Sequence, residues 1–154
     1  MDTKLSQHFT LGEALYSKTA LRLGLKNIPS PAEIEVMEKA AIGMERVRAL
    51  LGNRPIQVTS WYRGYELNLA VGSKESSQHR KGEAIDFLCF KFGTPFEICK
   101  YIAANADLIR FDQLILENGW VHISFAVVSR TEPRKEVLTI TPDMKAHIGL
   151  LYYE

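Results

Sequence analysis

Phe111-Asp112-Gln113-Leu114-Ile115-Leu116-Glu117-Asn118-Gly119-Trp120-Val121-His122-Ile123-Ser124 holds two β-like runs around an Asn-Gly pair, the strongest short hairpin signal a sequence offers. The runs cover residues 111–117 and 120–129. A two-residue turn at Asn118-Gly119 pairs Glu117 with Trp120 and Ile115 with His122, both pairs on one face. Glu117 and His122 then become diagonal neighbours. A mid-strand histidine beside a carboxylate costs stability unless it is paired or exposed, so the hairpin reads equally as a structural pair or as part of a site.

Working outward, residues 55–60 and 84–90 are further short β-like runs, and residues 137–141 could add an edge strand. Helix-start signals punctuate the rest. Thr10-Leu11-Gly12-Glu13 reads as a capping box opening a short helix through Leu15 and Tyr16. Ser30-Pro31-Ala32-Glu33 is stronger, because Pro31 falls at the first helical position, where a missing N–H costs nothing. Ile34, Met37, Ala41, Met44, Val47 and Leu51 follow at three- and four-residue spacing, a one-sided apolar stripe that Gly52-Asn53 ends. Thr94-Pro95-Phe96-Glu97 opens another helix, through about Ala104. Helices come mainly early and strands mainly late, without βαβ alternation. The expected fold is α+β, with helices packed on a small antiparallel sheet.

The 154 residues suit one domain, with residues 1–30 as an N-terminal arm packed on it. A net charge of +1, from 19 basic and 18 acidic side chains, and no clustered basic stripe argue against nucleic acid as a partner. No apolar run approaches the roughly 18 residues of a membrane span, so no membrane insertion is expected. The opening MDTKLSQHFTLGE lacks the apolar stretch of a signal peptide. Synthesis in the cytoplasm is therefore expected, with release needed to reach any substrate outside. Cys89 and Cys99 sit among apolar neighbours and read as buried free thiols. We expect a monomer.

Of the four histidines, His8 and His147 read as structural or surface residues. His79 lies in Ser77-Gln78-His79-Arg80-Lys81-Gly82-Glu83-Ala84-Ile85-Asp86. Strand alternation puts Ala84 and Asp86 on one side and Glu83 and Ile85 on the other. Gly82 allows the backbone to turn back, so His79 and Asp86 could converge on one point. A plain hydrogen-bonded His79–Asp86 pair remains the simpler alternative. Together His79, Asp86 and His122 make a two-histidine, one-aspartate set with a further carboxylate nearby, the recipe of a catalytic zinc site with one position left for water. Such chemistry also needs a carboxylate off the metal as general base and acid, and Glu117 is available.

The run SQHRKGEAID resembles the Ser-x-His-x-x-Gly-x-Ala-x-Asp signature of the zinc D-alanyl-D-alanine carboxypeptidases, a family that includes phage L-alanyl-D-glutamate endolysins and has a Hedgehog/DD-peptidase-like fold. Glu117 with Trp120-Val121-His122 resembles the second half of that signature. Thr59-Ser60-Trp61-Tyr62-Arg63 and Leu67-Asn68 resemble its Ser-x-Tyr-Arg and Leu-Asn segments, and Ser6-Gln7-His8-Phe9-Thr10-Leu11 is similar to the opening of its phage-type branch. The resemblance implies a peptidase of bacterial peptidoglycan peptides, with Zn2+ held by His79, Asp86 and His122. It makes Glu117 the general base and acid, and has Arg63 hold a substrate carboxylate or the developing oxyanion. Ser77 and Tyr62 would contact the bound peptide. Many members place the catalytic acid three residues before the last histidine, where this chain has Gly119, so Asp112 is kept as a second candidate. Trp61 and Gly64 also depart from the smaller or polar residues common beside Tyr-Arg. The alternative is an inactive zinc-stabilised module on the same scaffold that binds wall fragments or a protein partner.

Overall fold

Three capping boxes set the helices, in a computed structural model that describes residues 2–152. Thr10, Ser30 and Thr94 each accept from the N–H three residues on, and Glu13, Glu33 and Glu97 reach back to the cap N–H groups. They open α1 (Leu11–Leu15), α3 (Pro31–Leu50) and α5 (Pro95–Ala104). Shorter helices intervene: α2 (Lys18–Leu23), α4 (Tyr65–Ala70) and α6 (Ala106–Ile109), with a 3-10 turn at Gln78–Lys81. Along α3 the buried positions include Met37, Ala41, Met44 and Val47, as the apolar stripe predicts, with Ala40 and Gly43 beside them; Leu51 is buried just past its end. Burial of each large side chain in this row contributes about 1.5–3 kcal/mol.

Six strands form one sheet in the order β1-β2-β4-β3-β5-β6: β1 (Gln57–Ser60), β2 (Ala84–Leu88), β3 (Gln113–Leu116), β4 (Val121–Ser124), β5 (Glu136–Ile140) and β6 (Ala146–Ile148). The β3–β4 hairpin has the register expected from Asn118-Gly119, with Ile115 opposite His122, and Glu117 N–H donates to the Trp120 carbonyl at 3.1 Å. Ile85, Phe87, Leu114, Leu116, Val121 and Ile123 share one core with α3 and α5. Leu5, Phe9 and Ala14 of the first thirty residues belong to the same cluster. Cys89 and Cys99 are free, buried thiols.

The sheet is mixed rather than purely antiparallel, because β5 runs parallel to β3. After β4 the chain does not return by a hairpin. Residues 125–135 step across the start of β3, so β5 pairs on β3's far side. β5 is then not an edge strand, since β6 covers it; three residues are too few to announce β6 in the sequence pattern. Among the described residues no helix is long and apolar enough to cross a membrane.

Candidate metal centre and its cleft

Asp86 and His122 lie directly opposite one another on the central strands β2 and β4. His79 arrives from the 3-10 turn, whose geometry is tightly set. Ser77 caps it, accepting from His79 N–H at 3.2 Å, and Gly82 ends it in the left-handed region at φ 84°. A Cβ on Gly82 would stand 2.8 Å from Met37 Cγ of α3, so glycine is required for space as well as for φ. The Gly82 carbonyl accepts from Trp61 Nε1 at 2.9 Å, tying the turn to the core.

The two imidazoles converge on one oxygen. His122 Nδ1 is 2.9 Å and His79 Nε2 is 3.2 Å from Asp86 Oδ1. His79 Nδ1 lies 2.7 Å from the Trp61 carbonyl, which can only accept, so Nδ1 carries the proton. Burial lowers the His79 pKa against the pull of Asp86, which favours the neutral ring. Its Nε2 then directs a lone pair at a carboxylate. A shared cation resolves that clash, and the potential ligand atoms of His79, Asp86 and His122 all lie within 4.8 Å of one another. Two imidazoles and one carboxylate, one ring oriented through its far nitrogen, are the donor set and supporting bond of a zinc site. Burial works to raise the Asp86 carboxyl, but the two histidines hold it well below the usual carboxylate range.

Arg63 borders the same carboxylate, with Nη2 3.7 Å from Asp86 Oδ2, Nε 3.4 Å from Ser60 Oγ, and its N–H donating to the His79 carbonyl at 3.0 Å. Burial works against its charge, while Asp86 and Glu117 support it. Glu117, beside the hairpin turn, interacts electrostatically with His122, Asp86 and Arg63; burial is the main cause of its raised pKa. Tyr62 is buried, its hydroxyl donating to Glu33 Oε1 at 3.1 Å, and burial followed by the Glu33 charge pushes it up to about 12. Ser60, Tyr62 and Arg63 line a cavity of about 400 Å³. Ser77 and His122 line another, of about 490 Å³. His8 pairs with Glu45 at 2.7 Å and His147 with Thr141 at 3.1 Å, both away from this centre.

Asp112 does not face the centre as an available acid. Its Oδ1 accepts from Arg134 N–H and Nε, and its Oδ2 from Gln78, Arg130 and Arg134. Burial would raise its carboxyl, yet the Arg134 bonds hold it low. Glu83, fully buried, is a second anchor that the motif reading left without a role. It accepts from the N–H groups of Val127, Val128 and Ser129 at 2.8, 2.7 and 3.0 Å and from the Ser129 hydroxyl. Its signal in the sequence is parity: Glu83 shares the Ile85 side, where a carboxylate implies buried partners.

Among known proteins, residues 7–124 match the family model described as Peptidase M15. No curated protein matches the sequence.

Proposed function

This chain belongs to the peptidase M15 family, and we propose that it is a zinc-dependent peptidase that hydrolyses peptide bonds in peptidoglycan stem peptides. The observation that carries the reading is the convergence of His79 Nε2 and His122 Nδ1 on Asp86 Oδ1, with the His79 proton committed to the Trp61 carbonyl. When bound there, zinc supplies Lewis acidity toward water and the scissile carbonyl. The chain's own residues do the rest. Glu117 takes a proton from the attacking water and hands it to the leaving amine; its raised pKa, nearer the working pH, suits both transfers. Arg63 keeps its charge and presents a rigid fork of donors to a substrate carboxylate or to the oxyanion as it develops. Ser77, on the cleft wall, hydrogen-bonds the peptide, and Tyr62 bounds the cavity on the Arg63 side.

The similarity of residues 6–11 to the phage-type opening supports an endolysin role, with the enzyme reaching the wall after release from the cytoplasm. One domain acting as a monomer is sufficient for this chemistry. The test is digestion of purified peptidoglycan with and without a chelator, with products identified by mass spectrometry. New amino termini that appear only with metal support the reading. A folded, zinc-loaded protein that releases none leaves the binding-module alternative.

A further inference from the structure

The cleft beside His122 has a cationic wall that the metal chemistry does not need. Gln78, Lys81, Gln113, Arg130 and Arg134 line it together with His122. Arg130 and Arg134 are both held by Asp112, Arg130 through Nη1 and Arg134 through Nε and Nη2. Two guanidinium groups thus share one buried carboxylate, and both side chains remain about a third exposed, 35% and 36%. Among the described residues Arg130 makes no other side-chain hydrogen bond, so most of its five donors are uncommitted. Among the described residues the Lys81 ammonium makes one hydrogen bond, to Ser129 Oγ at 3.4 Å. Glu136, an acidic neighbour of this wall, is bonded to Gln113 at 2.6 Å and stands 4.0 Å from Arg134 Nη1.

The wall is also rigid before anything binds. Gln78 Nε2 bridges Glu83 at 3.1 Å and Asp112 at 3.0 Å, and these two carboxylates hold the segment that carries both arginines. Pre-set guanidinium forks beside a reacting centre recognise a planar anion, a carboxylate above all, with little ordering cost.

We infer that Arg130 and Arg134 bind a free carboxylate of the peptide substrate, and so select stem peptides that carry one near the scissile bond. This rests on the peptidase reading and adds a specificity subsite on the β3 side of the centre, distinct from Arg63 on the β1 side. In a stem peptide two groups offer the required chemistry, the α-carboxylate of γ-linked D-glutamate and the terminal D-alanine carboxylate.

The test uses the zinc-loaded protein and three forms of L-Ala-γ-D-Glu-L-Lys-D-Ala-D-Ala: free acid, D-Glu α-amide and C-terminal amide. Amidation of the contacted carboxylate should raise KM about ten- to hundredfold with kcat little changed, and the form affected identifies the source. Arg130→Gln and Arg134→Gln should lose that preference, with the melting temperature reporting their folding. Arg130→Lys keeps the Asp112 ion pair and should lose only part of it. Calorimetric binding of the three peptides gives a second readout. Equal kcat/KM and equal binding for acid and amides, or a preference that survives in the arginine variants, would overturn the subsite. If wild type cuts none of the peptides, the peptidase reading fails, and the binding preference still decides the subsite.

Discussion

Two carboxylates on the β3–β4 side meet opposite fates. Glu117 is half-buried near His122 and Arg63 with its pKa raised, whereas Asp112 is buried under two arginines with its pKa lowered. The first is suited to exchanging protons and the second is not. Glu117→Gln should therefore keep zinc binding, read by elemental analysis, while hydrolysis falls about 10²–10⁴-fold. Asp112→Asn should act through stability, lowering ΔG of unfolding by about 3 kcal/mol as two guanidinium groups lose their anion. A fall in kcat in Asp112→Asn at unchanged melting temperature, rather than a rise in KM through the two arginines it holds, would reverse the assignment. Strand alternation put Asp86 within reach of His79 and Glu117 beside His122, but by itself it left a plain hydrogen-bonded pair open, and only the resemblance of the SQHRKGEAID run joined these residues into one set. The proton on His79 Nδ1 was not legible. It depends on the Trp61 carbonyl, 18 residues away, and a main-chain acceptor leaves no trace in residue identity.

The elements differ in the same way. The capping boxes and the α3 stripe are local, and they appear where the residues dictate. The crossing of residues 125–135 over β3 is not local, because it depends on Glu83 bonds spanning 44 to 46 residues. Glu83→Gln should loosen that segment, speeding amide exchange at residues 127–129 and costing about 2–3 kcal/mol. Burial opposes the Glu83 charge, but the Ser129 and backbone bonds prevail and lower its pKa. With the folded pKa depressed, the unfolded chain takes up the proton first as pH falls. This stabilisation is thus complete above the ordinary value of about 4.3 and disappears as pH drops through the lowered one. Thermal melts from pH 7 to pH 3 should show a steep acid limb that Glu83→Gln partly removes; an unchanged limb would mean that Glu83 is not the group responsible. On α3, a Cβ at Gly43 would stand 2.5 Å from the Phe125 ring, which leads into the same crossing. Gly43→Ala should cost about 1–3 kcal/mol despite alanine's better helix propensity, measured by denaturant unfolding.

Across the whole molecule, core and centre occupy opposite faces of one sheet. Ile85, Phe87, Val121 and Ile123 point into the cluster with α3 and α5, while Asp86 and His122 alternate to the other side. Folding therefore does not wait on a cation. The chelated protein should keep its far-UV dichroism and a cooperative melt, and zinc at a thousandfold excess over Kd should add about 4 kcal/mol of stability. A melting temperature indifferent to both chelator and zinc would mean that the centre binds no metal. The crossing segment carries a practical consequence of its own. Its anchors, Glu83 and Asp112, grip main-chain N–H groups at Val127, Val128, Ser129 and Arg134 and also the side chains of Ser129, Arg130 and Arg134. Thr131, Glu132 and Pro133 make no bond to either carboxylate, which makes that short stretch a natural insertion point for grafting beside the cleft.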